Sequence, residues 1–394
     1  MIHWLWLQNA LGHSASKIQE IINKYGTAEN IYKSDINSLR FSGLFSDRAL
    51  SRLEDKSLDE ARKVLNDCKN YGITIIPYTS QNYPNCLRQI SCPPLLLYAK
   101  GNLSLLGDIP RVTVVGPREV STYGKKAGYS LAARLSMGGI TIVSGGAIGG
   151  DTSAHKGALV VKSPNICILP CGLNNPYPRA NEYLRKEILD NNGLLISEFS
   201  PNTSVNKYSF HIRNRILSGI SLATVVIEAG EKSGTLITAN HANEQGRDVF
   251  VILGVPGYPQ YKGSNMLLRD GARLLLSAQD IFDEYEYMYP DIINSAKAYK
   301  KNPTYKDDEP AKTVISRKNE KAEIIDKKIT KKIITECLSN NAIIVYNNLN
   351  KQSFYADEIN IDNMSNTEII AALGELEIYG YISLKAGGKY IIKS

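Results

Sequence analysis

Short apolar runs alternate with helical segments through the middle of the chain. Each run is apolar at consecutive positions, which is typical of parallel strands buried on both faces of a sheet. The intervening segments are long enough for the helices that βα units require. The runs are RVTVVG (111–116), ITIVSG (140–145), NICILPCG (165–172), GLLISE (193–198), LATVVIEA (222–229) and DVFVILG (248–254). They predict an α/β fold with a doubly wound parallel sheet and right-handed crossovers.

Different patterns flank this core. Residues 1–65 are typical of short amphipathic helices, with Ile18, Ile21 and Ile22 at helical spacing. Residues 285–326 are charged and lack a sustained apolar period, which predicts a flexible linker. Residues 327–394 predict an amphipathic helix, a second helix, a strand, a Gly-Gly turn and a strand, the outline of a small winged-helix-like domain. The predicted core is therefore residues 66–284.

Composition indicates which classes of partner and which cellular location to expect. The net charge of +7 mildly favours anionic partners. No apolar run approaches the roughly 20 residues that span a bilayer, and the opening IHWLWLQNALG lacks a basic leader and a cleavage site. The six cysteines are scattered, and the spacing of Cys167 and Cys171 fits neither a zinc ribbon nor a thioredoxin motif. We expect free thiols, a cytoplasmic location and no membrane contact.

The predicted strands end in loops rich in small residues and hydrogen-bond donors. Ligands of open parallel sheets bind beyond these carboxyl ends. Glycine lets the backbone approach an anion closely, and a helix N-terminus offers free N–H groups. The loops are GPR with Arg118, SGGAIGGD from Ser144 to Asp151, CGLNNPYPRAN with Asn181, and EAGEKSGTLITA with Ser233, Gly234 and Thr235. They predict a rim of phosphate-binding donors, although glycines that only serve tight turns remain an alternative.

The segment FHIRNRI (210–216) carries the most specific chemistry. Guanidinium groups bind phosphate oxygens through forked donors, and an aromatic ring can stack on a base. The segment combines Phe210 with Arg213, Asn214 and Arg215, and Lys207 stands just upstream. This combination favours a nucleic-acid strand over a small metabolite.

Standard nucleotide and catalytic motifs are missing from the sequence. It contains no G-x-x-x-x-G-K-[ST] P-loop, and SGGAIGG differs from G-x-G-x-x-G, so NAD binding is not expected. Asp151 and His155 are best interpreted as a helix cap and a buried histidine. Glu198 and Glu228 follow strands and could act as bases. No nucleophile pairs with a base, and no metal cluster is evident, so we expect neither an enzyme nor a cofactor.

The ordered series of motifs resembles the DNA-processing protein A family (DprA, also called Smf) over nearly the whole chain. The motifs that carry the resemblance are VVGPR, SGGAIGGDTSAHKGAL, CGLNNPYPRAN, GLLISEF, FHIRNRILSGIS, VVIEAGEKSGTLITA, the VPG at 255–257 and GSNMLLRDGA. Two of the departures from the family pattern fall in the loops predicted to bind DNA; the others are a short loop between VPG and GSN, and ALGHS in place of a Gly-x-Gly hairpin near the N-terminus. The second loop usually reads A-R-G-I-D, whereas Ile148 and Gly150 stand here. Pro117 replaces the usual small hydroxyl residue before Arg118.

The resemblance implies an extended Rossmann-like core that binds single-stranded DNA without catalysis and forms a homodimer. It implies protection of incoming DNA in natural transformation and assistance in loading the RecA recombinase. The N-terminal helices would form a small SAM or helix-hairpin-helix-like domain, and residues 327–394 a winged helix. The implied DNA contacts are Arg118, Ser144, Gly145, Gly146, Asn181, Lys207, Phe210, Arg213, Asn214, Arg215, Ser233, Gly234 and Thr235.

Two other functions remain open. The core is also similar to nucleotide phosphoribohydrolases, which carry P-G-G-x-G-T-x-x-E. Here the turn of that motif is present in EAGEKSGTLITA, but Ile237 and Thr238 follow where the glutamate would fall. The other possibility is a scaffold that recruits partners without using its arginines.

Overall fold

The computed structural model describes residues 1–13, 16–300, 303, 339–349, 353–359, 361, 364–378, 381–385 and 389–392. The chain divides into two compact units, residues 1–307 and 308–394. The first unit contains the long sheet and all of the predicted DNA contacts.

Helices open the first unit. Their apolar positions recur at helical spacing, so each helix buries one side. They are α1 Ile2–Leu11, α2 Ile18–Tyr25, α3 Ala28–Lys33, α4 Ile36–Phe41, α5 Asp47–Glu54 and α6 Asp59–Asn70. They belong to the same hydrophobic cluster as the nearest strands. The Gln8 amide accepts a hydrogen bond from the Tyr98 hydroxyl at 2.7 Å and donates to the Glu198 carbonyl at 3.0 Å. The predicted N-terminal domain therefore packs directly against the sheet.

Within the described residues of this unit the chain forms a nine-stranded sheet with the order β1-β2-β6-β5-β4-β3-β7-β8-β9. The strands from β6 to β9 in that order are parallel, β2 runs antiparallel to β6, and β1 runs antiparallel to β2. The strands are β1 Thr74–Pro77, β2 Leu96–Gly101, β3 Arg111–Val115, β4 Thr141–Ser144, β5 Ile166–Ile168, β6 Leu194–Ser197, β7 Ala223–Val226, β8 Asp248–Ile252 and β9 Arg273–Leu275.

The α/β prediction is confirmed, and all six predicted runs form strands. These strands lie in the centre of the sheet. Because both of their faces are buried there, their residues are apolar at consecutive positions. The prediction named no strand for β1, β2 or β9, which lie toward the two edges of the sheet. β1 and β9 are edge strands with exposed residues, so their sequences carry a weaker pattern. β2 is an internal strand whose first four residues are buried, and its short apolar run LLYA was not recognised as a strand.

Helices cover both faces of the sheet. They are α7 Asn85–Arg88, α8 Thr122–Met137, α9 Gly150–Val160, α10 Glu182–Asp190, α11 Lys207–Gly219, α12 Thr235–Glu244, α13 Lys262–Arg269, α14 Gln279–Tyr285 and α15 Ser295–Ala298. The chain still packs against the sheet after residue 284, although we predicted a flexible linker from residue 285. Tyr285, Ile293 and Ala298 are buried in the cluster around β3 and β7. Of residues 301–326, the rest of the predicted linker, only residue 303 is described.

The second unit has its own small core. It contains α16 Asn340–Asn348, β10 Ser353–Tyr355, α17 Asn366–Ile378, β11 Ile382–Lys385 and β12 Lys389–Ile392. The strands pair antiparallel in the order β10-β12-β11. Phe354, Ile369, Leu373, Leu376 and Ile382 form the centre of its hydrophobic cluster. The winged helix stays a prediction for this unit, and both the helix predicted at 329–338 and the Gly-Gly turn lie outside the described residues.

Candidate nucleic-acid interface

A pocket opens where the winding of the sheet reverses. β3 pairs with β4 on one side and with β7 on the other, so the loops that follow β3 and β7 diverge. This is the position at which open α/β sheets bind ligands. The pocket has a volume of about 320 Å³, and we call it the switch-point pocket. The predicted site residues that line it are Arg118, Phe210, Arg213, Asn214, Ser233, Gly234 and Thr235.

One face of α11 forms a wall of this pocket. The helix begins with a capping box, in which the Asn206 side chain accepts from the Ser209 N–H at 3.0 Å and the Ser209 hydroxyl accepts from the Asn206 N–H at 3.1 Å. Phe210, Arg213 and Asn214 follow at the i, i+3 and i+4 spacing that places side chains on one helix face. All three line the pocket.

Arg118 and Phe210 form the outer part of the pocket. The Arg118 guanidinium carbon lies 5.0 Å from the centre of the Phe210 ring, a cation–π distance. Arg118 is exposed and Phe210 is half-buried, and the Phe210 ring forms a T-shaped pair with Tyr177 at a centroid distance of 5.9 Å. A cation and an aromatic face therefore meet at the solvent side of the pocket.

The loop that carries Arg118 is held at both ends. The Gly150 N–H donates to the Pro117 carbonyl at 3.0 Å, and a Cβ on Gly150 would come within 2.5 Å of the Gly116 Cα. At the other end the Glu228 carboxylate accepts from the Ser121 N–H at 2.6 Å and from the Ser121 hydroxyl at 2.7 Å. These contacts fix the backbone on either side of Arg118.

The turn from Ser233 to Thr235 also lines the pocket. The Thr235 N–H donates to the Ser233 hydroxyl oxygen at 3.2 Å, and α12 begins at Thr235. A Cβ on Gly234 would meet no atom within 4 Å, so this part of the turn is open. The N-terminus of α12 carries a partial positive charge, which suits an anionic oxygen. The N–H groups of Thr235, Leu236 and Ile237 are hydrogen-bonded within the turn.

Arg213 lies deeper than Arg118. Its guanidinium donates from Nη1 to the Gly145 carbonyl at 2.8 Å and to the Ile168 carbonyl at 2.7 Å, and the residue is only 5% exposed. A Cβ on Gly145 would overlap the Arg213 Nη1, so this glycine makes room for the arginine. Burial lowers the pKa of Arg213, and the nearby Asp151 opposes that shift. Arg213 thus ties the ends of β4 and β5 together beneath the pocket.

Three residues that were predicted to contact DNA have structural roles outside the pocket lining. The Ser144 hydroxyl donates to the Val114 carbonyl at 2.7 Å. The Asn181 amide donates to the Gly146 carbonyl at 3.0 Å and to the Thr152 hydroxyl at 2.9 Å. Gly146 has a φ of 69°, the left-handed region that glycine adopts without strain. None of these three residues lines the switch-point pocket.

Arg215 and Lys207 also lie outside the pocket lining. The Arg215 Nη2 donates to both carboxylate oxygens of Glu198 at 2.7 Å and to the His13 carbonyl at 2.7 Å. The buried pair connects α11 to the end of β6, and the bond to His13 connects α11 to the segment after α1. Lys207 is exposed on the first turn of α11, one turn before Phe210.

Several residues that line the pocket were not predicted as site residues from the sequence, among them His211, Leu217, Ile237 and Thr238. The helical period could have found Leu217, which lies seven residues after Phe210 on the same face of α11. Asp151, interpreted as a helix cap, also lines the pocket and is 4% exposed. Burial raises its pKa, whereas Arg213 and the Ala147 N–H oppose that shift.

The two glutamates that follow strands do not line the pocket. Glu228 is engaged by Ser121, and Glu198 is paired with Arg215. Burial raises the pKa of Glu198 to about 7, although Arg215 acts in the opposite direction. No group of three or more His, Cys, Asp and Glu side chains in the described part of the chain could hold a metal ion. Cys167 and Cys171 are free and buried. Among the described helices, none has the length and apolar character needed to cross a membrane.

Comparison with known proteins identifies relatives of this fold. Residues 74–286 match the family model described as DNA recombination-mediator protein A. The chain is 38% identical over 222 residues to the DNA processing protein DprA of Bacillus subtilis, covering 56% of this chain and 74% of the relative. The X-ray structure of DNA processing protein A from Streptococcus pneumoniae superposes with a TM-score of 0.64 at 30% identity, covering 72% of this chain and 98% of that one.

A second solved structure is DNA processing protein A from Helicobacter pylori, reported for its single-stranded DNA binding mode. It superposes with a TM-score of 0.50 at 30% identity and covers 55% of this chain and 96% of that chain.

Proposed function

Because the chain belongs to the DNA recombination-mediator protein A family, we propose that its switch-point pocket binds single-stranded DNA. The observation that carries the proposal is the position of the Arg118 guanidinium, 5.0 Å from the Phe210 ring centre at the mouth of the pocket. Such a pair can bind one nucleotide, because the cation binds the phosphate and the aromatic face stacks on the neighbouring base. The binding mode reported for the Helicobacter pylori protein supports the same ligand.

A single strand fits this geometry better than a duplex. The bases of a single strand are free to stack on a side chain, whereas those of a duplex are already stacked on each other. Phe210, Arg118 and the Ser233–Thr235 turn line the same pocket, so a base on the ring would have phosphate-binding groups in the same pocket. Arg213 and Asp151 form the pocket floor and restrict its depth.

We further propose that the pocket performs no catalysis and uses no cofactor. A hydrolase would need an activated acid or base near the ligand. Asp151 lines the pocket, but its carboxylate accepts from the Ala147 N–H at 3.3 Å and interacts with Arg213. Glu228 and Glu198 lie outside the lining and are occupied by Ser121 and Arg215. The alternative is a nucleotide-processing enzyme related to the phosphoribohydrolases. Turnover of a nucleoside monophosphate by the pure protein, abolished in Glu228→Gln, would favour that alternative.

The proposal extends to partners. Binding and protecting an incoming strand would place the protein in the cytoplasm and next to the RecA recombinase, which it would help to load. We also propose a homodimer formed through the Rossmann-like core. In support of it, β9 is the last strand of the sheet among the described residues, and Leu274 in this strand and Leu276 directly after it are 43% and 74% exposed.

The experiment that tests the proposal is fluorescence anisotropy with a labelled oligothymidylate and a duplex of equal length at several salt concentrations. We expect tighter binding of the single strand, and a loss of affinity in Arg118→Ala. Arg48→Ala removes the same charge from an exposed position on α5, outside the pocket, and should bind like wild type. Equal affinity of wild type and Arg118→Ala for the single strand would overturn the assignment of this pocket.

A further inference from the structure

A second pocket, of about 840 Å³, shares a loop with the switch-point pocket. Glu231 and Lys232 line the second pocket, and the next three residues, Ser233 to Thr235, line the first. We propose that the second pocket binds further nucleotides of the same single strand, which crosses the loop between the two pockets. This inference rests on the proposed function and adds to it a second contact surface for the strand.

The chemistry of the second pocket suits a strand. Lys232, Lys262 and Arg269 bring three cations to its lining, and Tyr258 offers a ring that is 56% exposed. Lys262 is paired with Glu231 at 2.7 Å, and both side chains are more than half exposed, so a phosphate can compete with this solvent-exposed pair. Cations interleaved with an exposed aromatic ring are the pattern of proteins that track a single strand.

The positions of these cations follow from one helix face. Lys262, Met266 and Arg269 lie at the i, i+4 and i+7 positions of α13, and all three line the pocket. The helix thus presents a cation at each end of an apolar centre. This spacing gives the pocket a cationic wall about two turns long.

The same helix is fixed to the loop that the two pockets share. The Ser264 N–H donates to the Ala229 carbonyl at 3.0 Å, and the Ser264 hydroxyl oxygen accepts from the Ala229 N–H at 2.6 Å. A Cβ on Gly263 would come within 2.5 Å of the Gly230 carbonyl oxygen, so only glycine allows this approach. The two pockets are therefore held in a constant relation by backbone contacts. A strand bound in the first pocket meets a preformed surface in the second.

Oligothymidylates of two lengths test this inference on the full chain. A strand of about 2 nucleotides is too short to occupy both pockets at once, whereas one of about 15 nucleotides reaches both. We compare wild type with the double variant Lys232→Ala/Tyr258→Ala. We expect the double variant to bind the long strand on the order of tenfold more weakly, the effect of one lost stacked base. Its salt slope should also fall by about 0.7 for the lost phosphate contact. Its affinity for the short strand should equal that of wild type.

The matched control is Tyr287→Ala/Lys297→Ala, which removes an exposed tyrosine and an exposed lysine from outside both pockets. It should bind both strands like wild type. Thermal unfolding checks that each variant is folded, and Tyr258→Leu alone repeats the test if the double variant is less stable.

The outcomes separate the two hypotheses. If wild type binds neither strand, the proposed function fails. If wild type binds both strands and the double variant matches it for both, the second pocket is not a strand site and the proposed function stands. Equal losses for both strand lengths also overturn the inference, because they assign the effect to the first pocket.

Discussion

Arg215 and Glu198 form a buried ion pair, with the Arg215 Nη2 2.7 Å from each Glu198 carboxylate oxygen and side-chain exposures of 9% and 2%. Arg213, two residues earlier, lines the switch-point pocket instead. Two arginines that look equivalent in FHIRNRI therefore have different roles, and their substitutions should have different effects.

Arg215→Ala should lower stability without a specific effect on DNA. Removing one partner of a buried pair leaves an uncompensated charge, so the free energy of unfolding should fall by about 3–5 kcal/mol. Urea unfolding followed by circular dichroism measures this change. The double variant Arg215→Met/Glu198→Leu should recover most of the loss, because an apolar pair leaves no buried charge. If the Arg215→Ala protein is as stable as wild type but has lost DNA affinity, Arg215 contacts a phosphate after all.

Arg118→Ala should weaken DNA binding and leave the stability of the protein nearly unchanged. The side chain is exposed, so we expect an unfolding free energy within about 0.5 kcal/mol of wild type. Its loss removes one phosphate contact, so the slope of log affinity against log salt on single strands should become shallower by about 0.7. Anisotropy titrations at several salt concentrations measure the slope. Arg118→Lys keeps the charge and should retain the slope, while losing part of the affinity through its weaker fit to phosphate. An unchanged slope in Arg118→Ala contradicts this assignment.

Phe210→Leu should weaken single-strand binding by about 1–3 kcal/mol, the usual effect of losing one stacked base. The substitution keeps an apolar side chain at a half-buried position, so the thermal midpoint should stay close to that of wild type. Tyr208→Leu, on the exposed first turn of α11, is the matched control and should bind normally. A Phe210→Leu protein that unfolds readily but binds normally when folded would identify Phe210 as a core residue.

His155 makes stability depend on pH. Its Nδ1 lies 2.8 Å from the Asn165 amide oxygen, and burial lowers its pKa from 6.5 to about 4. Between these values the unfolded chain binds a proton that the folded chain does not. The stabilisation is therefore present above about pH 6.5 and is lost as the pH falls to about 4, on the order of 3 kcal/mol in total.

The measurement is urea unfolding from pH 7 to pH 4. His155→Gln should remove the His155 share of the pH dependence, so the unfolding free energy of wild type relative to the variant should decline between about pH 6.5 and pH 4. The opposite contribution of the buried Glu198 is present in both proteins and cancels in this difference. For His211→Gln, which removes an exposed imidazole, the same difference should not decline. Identical pH profiles for His155→Gln and wild type would show that His155 does not cause the decline.

The second unit should contribute little to single-strand affinity. Its helix α17 carries Glu368, Glu375 and Glu377, whose carboxylates would repel a phosphate backbone. Glu375 accepts from the Ser339 N–H at 2.7 Å, so this glutamate stabilises the start of α16. A chain that ends after residue 300 keeps the packed Ile293 and Ala298 and should bind within a few-fold of the full protein. Loss of nearly all binding, with the first unit still folded, would place the DNA site in the C-terminal part.

The sequence by itself determined the central sheet and the edge at which the ligand site lies. Continuous apolar runs identify buried parallel strands because both faces of each strand must exclude water, and the loops after those strands must share one edge. The ordered motifs also identified the family. These features depend on local pattern and chain direction, which a sequence carries directly.

Only the tertiary structure decided which predicted residues meet. In a helix of 3.6 residues per turn, Arg213 and Arg215 point about 200° apart, so one lines the pocket and the other pairs with Glu198. Gly145, which was predicted to admit an anion, makes room for Arg213 instead. Arg118 and Phe210 are 92 positions apart and meet over the pocket. The sequence states which residues can donate a hydrogen bond. Which group accepts that bond depends on the side chains that tertiary packing places within contact distance, and no local sequence pattern contains that information.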